Sequence, residues 1–478
     1  MRRHGLACHA VARREVRASA SRRRNEQRMN TRYLEQIVLL VSIVKWLVLA
    51  LLVGLIVGLS TALFLHALRF AVGFTTGYRW YFLAMPLTFV VARWVVVRWA
   101  PAAEGHGTEQ IIRAIHTRSG RQRLMVAPVK AVATILTIAS GGSAGKEGPS
   151  AQIGAVLASG LADLFRLNDA DRKRVVICGI SAGFSSVFGT PVAGAVFAIE
   201  VLYMGRMVYN TLFPAVVAGF VSVATAAWLG IARDSAWIGV PDGIAYSLYL
   251  KALVGGLFFG VVALLLVDVM KGVAAAFKRL PFSSAGRAAT GGALLVLSGL
   301  LFSPDYLSLG ISSINQYVGG AVAQPWDFLV KIANTAITLG AGGSGGVLTP
   351  IFFIGSSAGS FAGHLLQADP ALFAALGLVA VLASAANTPI AAIILAVEMF
   401  GVELAPLAAV AATVSYLITG HRGVYPSQIL SISKSASLQV VQNTELERVP
   451  GSSFSVREGT VSGTLYRWYQ KRKGRTDI

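Results

Sequence analysis

Residues 141–155 read GGSAGKEGPSAQIGA, and residues 342–356 read GGSGGVLTPIFFIGS. Gly141, Gly142, Ser143, Gly145, Pro149, Ile153 and Gly154 recur as Gly342, Gly343, Ser344, Gly346, Pro350, Ile354 and Gly355, each pair 201 residues apart. A second pair follows: TPVAGAVFAIEV (190–201) is answered by TPIAAIILAVEM (388–399), with Glu200 matching Glu398 at an offset of 198. The chain is therefore a duplication, and each copy carries a glycine-rich break inside an apolar stretch. In membrane proteins, paired interrupted segments at matching places in two halves point to the substrate site.

Composition sets the solvent. The 478 residues are 55% hydrophobic and 13% charged, with a mean hydropathy of +0.64, too apolar for an ordinary soluble fold. Apolar runs at 36–65, 208–232, 249–270 and 375–399 are long enough to cross a hydrocarbon core. Shorter or glycine-dotted runs at 125–140, 150–165 and 347–367 suit helices that enter the membrane without crossing it. An all-α polytopic membrane protein with more than ten membrane segments is expected.

The net charge of +20 is concentrated at the ends, for example Arg22, Arg23 and Arg24 before the first span and Lys471, Arg472 and Lys473 after the last. Positive residues beside membrane segments stay in the cytoplasm, so both termini are expected there. No nucleic-acid-binding module accompanies the basic balance. Residues 1–28 are rich in Arg, Ala and Ser like a transit peptide but lack a secretory apolar core. A disordered cytoplasmic tail over 1–32, or a start at Met29, is the preferred reading. A membrane domain is expected over 33–430, in halves of 33–235 and 236–430, followed by a polar cytoplasmic tail over 431–478. Cys8 and Cys178 are too few for a disulfide framework or a metal cluster, and no cofactor is implied.

The two breaks have a chemistry of their own. Pro149 and Pro350 suit the first turn of a helix, where a missing N–H costs nothing. The first backbone N–H groups of such a helix have no internal partner, and the helix dipole adds partial positive charge there. Two such ends meeting in the membrane make an anion site without a buried full positive charge. Gly145, Lys146, Gly148, Pro149, Gly346, Val347 and Leu348 are the candidate residues. Glu147 is a tethered competitor for the same donors, displaced when it is protonated or when an ion replaces it; intramembrane acids mark functional sites. A phosphate-binding loop is excluded, because Ser140 stands where its first glycine is required and Glu147 where its hydroxyl is required.

Gly145-Lys146-Glu147-Gly148-Pro149 resembles the G-[KR]-E-G-P signature of the CLC family of chloride channels and proton–chloride exchangers. Gly346-Val347-Leu348-Thr349-Pro350 is similar to its G-x-F-x-P signature, with Leu348 in place of phenylalanine. GHGTE (105–109) lies where the family carries G-S-G-I-P, and Tyr425 in HRGVYPSQ matches its late pore tyrosine. The resemblance covers roughly residues 40–430. It implies two inverted-topology repeats with broken, partly re-entrant helices, and a homodimer with one pore per subunit. It also implies Glu147 as the gate, and Gly105, His106 and Gly107 with the two breaks and Tyr425 as anion contacts.

Three departures bear on function. His106 stands at the family's pore serine, which puts chloride selectivity in doubt and introduces a group that can carry charge. Thr108-Glu109 replaces Ile-Pro, which would bend the entrance of this half-helix differently. The exchangers' internal proton-transfer glutamate aligns with Val201, which cannot carry a proton. Glu200 and Glu398 recur as a pair, which favours a shared structural role for them. The leading expectation is a chloride channel, voltage-gated members being known in the family. Proton-coupled antiport of chloride or fluoride is the alternative. A secondary transporter of an organic or cationic solute would need clustered buried acids, and an enzyme would need a nucleophile with its base or a set of metal ligands; the sequence shows neither. No nucleotide-sensing module follows the membrane domain.

Overall fold

The structure is a computed structural model that describes residues 3–231, 246–448, 455–457 and 459–472, with side chains described from Leu34 onward. Its helices run in chain order: α1 Arg3–Thr76, α2 Met85–Trp99, α3 Gly107–Arg118, α4 Val126–Ala139, α5 Glu147–Leu164, α6 Asp169–Phe188, α7 Pro191–Glu200, α8 Leu212–Trp228, α9 Tyr246–Arg279, α10 Ser284–Leu301, α11 Ile311–Val318, α12 Asp327–Gly340, α13 Leu348–Leu365, α14 Pro370–Ala385, α15 Pro389–Phe400, α16 Ala405–Ile418 and α17 Val461–Arg472. Residues 1–49 form one unit, the N-terminal part of α1; residues 50–478 form the other.

From α2 to α8 and again from α10 to α16 the chain repeats the same order of helices, so that α5 answers α13 and α7 answers α15. The two halves are inverted-topology repeats. Each half packs its own broken helix against the next: α5 on α6, and α13 on α14. The contact is close because glycines meet at the crossing. A Cβ on Gly154 would strike the Gly179 carbonyl, and one on Gly355 would lie 2.5 Å from the Gly377 carbonyl. Small residues at helix crossings are how membrane proteins gain van der Waals contact where lipid removes the hydrophobic drive.

Among the described residues, five helices are long and apolar enough to span a membrane: Leu34–Thr76, Tyr81–Trp99, Tyr209–Trp228, Tyr246–Arg279 and Ser284–Leu301. Shorter apolar helices, including α4, α7, α14 and α15, lie between them. The run 375–399, which reads as one span in the sequence, is broken between α14 and α15. Asn387 adopts a left-handed conformation (φ 57°) and Pro389 opens α15, since proline cannot continue a helix through its missing donor. At the N-terminus, where the sequence suggested a disordered tail over 1–32, the backbone is helical from Arg3; no proline or glycine follows Gly5 to interrupt it before the first span.

Five two-residue strands organise the end of the chain: β1 Tyr203–Met204, β2 Ile429–Leu430, β3 Leu438–Gln439, β4 Thr444–Glu445 and β5 Ser455–Val456. β2 pairs parallel with β1 and antiparallel with β4, and β3 pairs with β5. Residues 429–432 thereby run beside the loop between α7 and α8.

Candidate functional site

The two breaks meet. Gly145 N–H donates to the Gly346 carbonyl and Gly346 N–H to the Gly145 carbonyl, both at 2.7 Å. On either side the repeats exchange further bonds. Ser143 N–H donates to Thr338 Oγ1 at 3.0 Å, and Ser344 N–H to Thr137 Oγ1 at 3.1 Å. Ser143 and Ser344 hydroxyls bond Thr335 and Thr134 at 3.0 and 3.2 Å. Gly141 and Gly342 make the bends possible, at φ 114° and 98°, a region that side chains rarely adopt. Each repeat thus completes the other's break, and the backbone groups that leave their helices find partners across the two-fold.

Three half-helices present their amino ends at this junction. α5 is preceded by Lys146, α13 by Val347 and α3 by His106, and none of the three carries a side-chain cap from its own N-cap residue. A Cβ on Gly107 would strike the Gly148 carbonyl, and one on Gly148 would lie 3.0 Å from Gly346 Cα. The amino ends of these three helices therefore lie close together. Gly145, Gly148, Pro149, Gly346, Val347 and Leu348 are buried there; Lys146 and Gly105 are half-buried.

Glu147 occupies the junction. It is fully buried, and its carboxylate accepts Thr349 N–H at 3.1 Å and the Thr349 hydroxyl at 2.5 Å. The acid of one repeat thus caps the half-helix of the other. Beside it, His106 Nδ1 and the hydroxyls of Thr108 and Tyr425 are buried without a hydrogen-bond partner of standard geometry, the two hydroxyls lying close to each other. The rings of His106 and Tyr425 lie 6.0 Å apart. His106 does not swing aside to cap α3. Buried polar groups are mostly paired in folded proteins, so these three polar atoms close together make the junction a candidate site for a polar guest.

Tyr425 is held by its loop. Val424 N–H donates to Ala385 O at 2.8 Å, Asn387 Nδ2 binds Arg422 O and Gln428 Oε1, and Gln428 Nε2 binds Val201 O and Ala386 O. Glu200 and Glu398 have a different task. Glu200 accepts Ile390 and Ala391 N–H at 3.2 and 2.8 Å, while Glu398 accepts Val192 and Ala193 N–H at 3.1 and 2.7 Å. Each caps the other repeat's helix, α15 or α7, as a matched pair should. Val201 is fully buried.

Sequence reasoning missed several partners. Thr349, which holds Glu147, passed as an unremarkable residue of its signature. Lys130 and Lys331 were also overlooked, although they share the 201-residue offset that revealed the breaks. Lys130 is fully buried and its ammonium donates to Ala103 O at 3.1 Å and to Gly105 O. Lys331 does the same before α11, binding Tyr306 O at 3.1 Å and Ser308 O at 2.9 Å. The carbonyls just before these two helices need a donor, and a lysine from the neighbouring helix supplies it.

A polytopic membrane protein whose half-helix amino ends converge on a tethered carboxylate and a set of orphan donors belongs to the class that carries anions. The family model for the voltage gated chloride channel matches residues 88–420. The chain is 38% identical over 408 residues to a chloride/fluoride channel protein of Pseudomonas syringae pv. tomato, covering 84% of this chain and 90% of that one. It is 29% identical over 328 residues to an H(+)/Cl(-) exchange transporter of Vibrio vulnificus, covering 65% and 69%. Among solved structures it is similar to a CLC-type fluoride/proton antiporter, with a TM-score of 0.78 at 30% identity over 81% of this chain and 98% of the other. A slow cyanobacterial Cl-/H+ antiporter shares the fold, with a TM-score of 0.70 at 21% identity, covering 78% of this chain and 94% of that one. The chain belongs to the voltage-gated chloride channel (CLC) family, whose members are anion channels and proton-coupled anion antiporters.

Proposed function

We propose that this protein is a proton-coupled antiporter of a small anion, fluoride or chloride, with Glu147 as its gate. One observation carries the reading: the Glu147 carboxylate sits on the amide and hydroxyl of Thr349, at the amino end of a half-helix from the opposite repeat. Ionised, it occupies the donors an anion would use. Protonated, it loses the charge that holds it there, and an anion can take its place. Proton and anion then alternate on one set of donors, which is the condition for exchange.

Fluoride fits the donors. It is the most strongly hydrated halide, so it needs several hydrogen bonds to leave water, and His106, Thr108 and Tyr425 each offer an unused polar atom. The relatives named for fluoride support the same choice. The chain works as a homodimer with one pathway per subunit, in a bacterial inner membrane with both basic termini in the cytoplasm; the family and the charge pattern support this.

The test is flux in proteoliposomes loaded with fluoride or chloride, with no initial proton gradient and with proton and anion followed together. Anion efflux should drive protons inward against their gradient, faster with fluoride than with chloride. Anion movement with no proton movement, reversing at the anion's own equilibrium potential, would identify a channel and end the antiport reading.

A further inference from the structure

Among the described residues, four acidic side chains are buried: Glu109, Glu147, Glu200 and Asp327. Two of them are fastenings. Asp327 accepts the hydroxyls of Tyr306 and Tyr317 at 2.5 and 2.7 Å and Gln324 N–H at 2.8 Å, while Glu200 caps α15. Glu147 is the gate candidate. Glu109, in the first turn of α3, is left to explain.

Its surroundings connect the anion site to water. The Ser427 hydroxyl donates to Glu109 Oε1, and Ser427 N–H to Oε2 at 3.3 Å. Arg113 Nη2 stands 3.3 Å from Oε1, and Arg113 Nε donates to Ser427 Oγ at 3.1 Å. Inward, Glu109 is flanked in sequence by Thr108, and Ser427 follows Tyr425 by two residues. The carboxyl is therefore tied to both segments that bear the unpaired hydroxyls. Thr108 Oγ1 stands 3.5 Å from where a Cβ on Gly148, the residue after Glu147, would lie. Outward, the Arg113 side chain is 45% exposed and lies 3.8 Å from Glu447, itself 62% exposed. The charged or titratable groups that face Glu109 are Arg113 and Glu447 on the wet side and Tyr425 on the pore side.

We infer that Glu109 is the proton waypoint between Glu147 and the aqueous face that carries the C-terminal segment. This rests on the antiport reading above. Val201 and Glu200 offer no carrier, one being apolar and the other committed to a helix end. Water on that face gives a proton to the Glu109 carboxylate. The neutral acid passes it inward by way of the Tyr425 and Thr108 hydroxyls to the Glu147 carboxylate. Glu109 is then ionised again and Glu147 is neutral, one proton moved for each gate released.

The measurement is paired proton and anion flux for Glu109→Gln and Glu109→Asp in the full-length protein, reconstituted beside the wild type. Glutamine keeps an acceptor for Ser427 N–H but cannot titrate. The proton-to-anion ratio should fall by at least about tenfold in Glu109→Gln, as loss of a positioned acid–base group does, and should recover in Glu109→Asp. A wild-type ratio in Glu109→Gln overturns the inference while leaving antiport standing. So does a proportionate fall of both fluxes, which would make Glu109 a structural fastening. A wild-type protein that moves no protons overturns the antiport reading and this inference with it.

Discussion

Thr349 holds the gate from the opposite repeat. Its hydroxyl and amide both donate to the Glu147 carboxylate, and a hydrogen bond to a charged group contributes about 1.5–3 kcal/mol. Thr349→Val keeps the shape and the amide but removes a donor from the ionised carboxylate, so protonation should release the gate at higher pH. The pH of half-maximal anion flux should rise by about one unit, the change that about 1.4 kcal/mol makes. An unchanged pH midpoint would show that the hydroxyl does not hold the gate. At this scale the sequence was half legible. Glu147 and the glycines announced themselves because they break an apolar run and because one break has a copy. Thr349 and Ser427 did not, because each meets its carboxylate only after segments hundreds of residues apart have folded together.

Helix ends carry the next level. α7 and α15 are too short to cross a membrane, and each begins with a proline and carries in its last turn the glutamate that caps the other. Ala in place of Glu200 or Glu398 leaves two amides of the opposite helix without an acceptor. Each change should destabilise the protein by about 1–2 kcal/mol, the usual cost of a lost cap. Melting followed by tryptophan fluorescence in detergent should show two similar losses, because the two caps are reciprocal. A loss from one and none from the other would contradict the matched roles. The 198-residue recurrence made this pairing readable as a pair, though not as a cap. The break within 375–399 was hidden by composition: Asn387, Thr388 and Pro389 are three residues in a long apolar run, and hydropathy does not register a turn that a side-chain network holds open.

Duplication shapes the molecule as a whole. Backbone bonds between Gly145 and Gly346 join the repeats at the point where their half-helices end, so the site belongs to neither half alone. That is why the family could be read from two aligned segments, and why the candidate site was sought there. The mode of transport could not. Valine at 201 pointed to passive conduction, whereas the solved antiporters among the relatives and the seated carboxylate favour exchange. Coupling depends on which titratable groups line a path through the folded protein, and Glu109 enters such a path only through the loop that bears Tyr425. The proposed preference for fluoride depends in the same way on polar atoms of His106, Thr108 and Tyr425 that only the fold brings together.

The central claim, that Glu147 and a transported anion compete for one seat, is tested most directly by titrating fluoride into the purified protein across a range of pH. The wild type should bind more tightly as pH falls and protonation empties the seat. Glu147→Gln should bind tightly throughout, with no pH dependence. Equal affinity in the two proteins at every pH would mean that the carboxylate and the anion occupy different places.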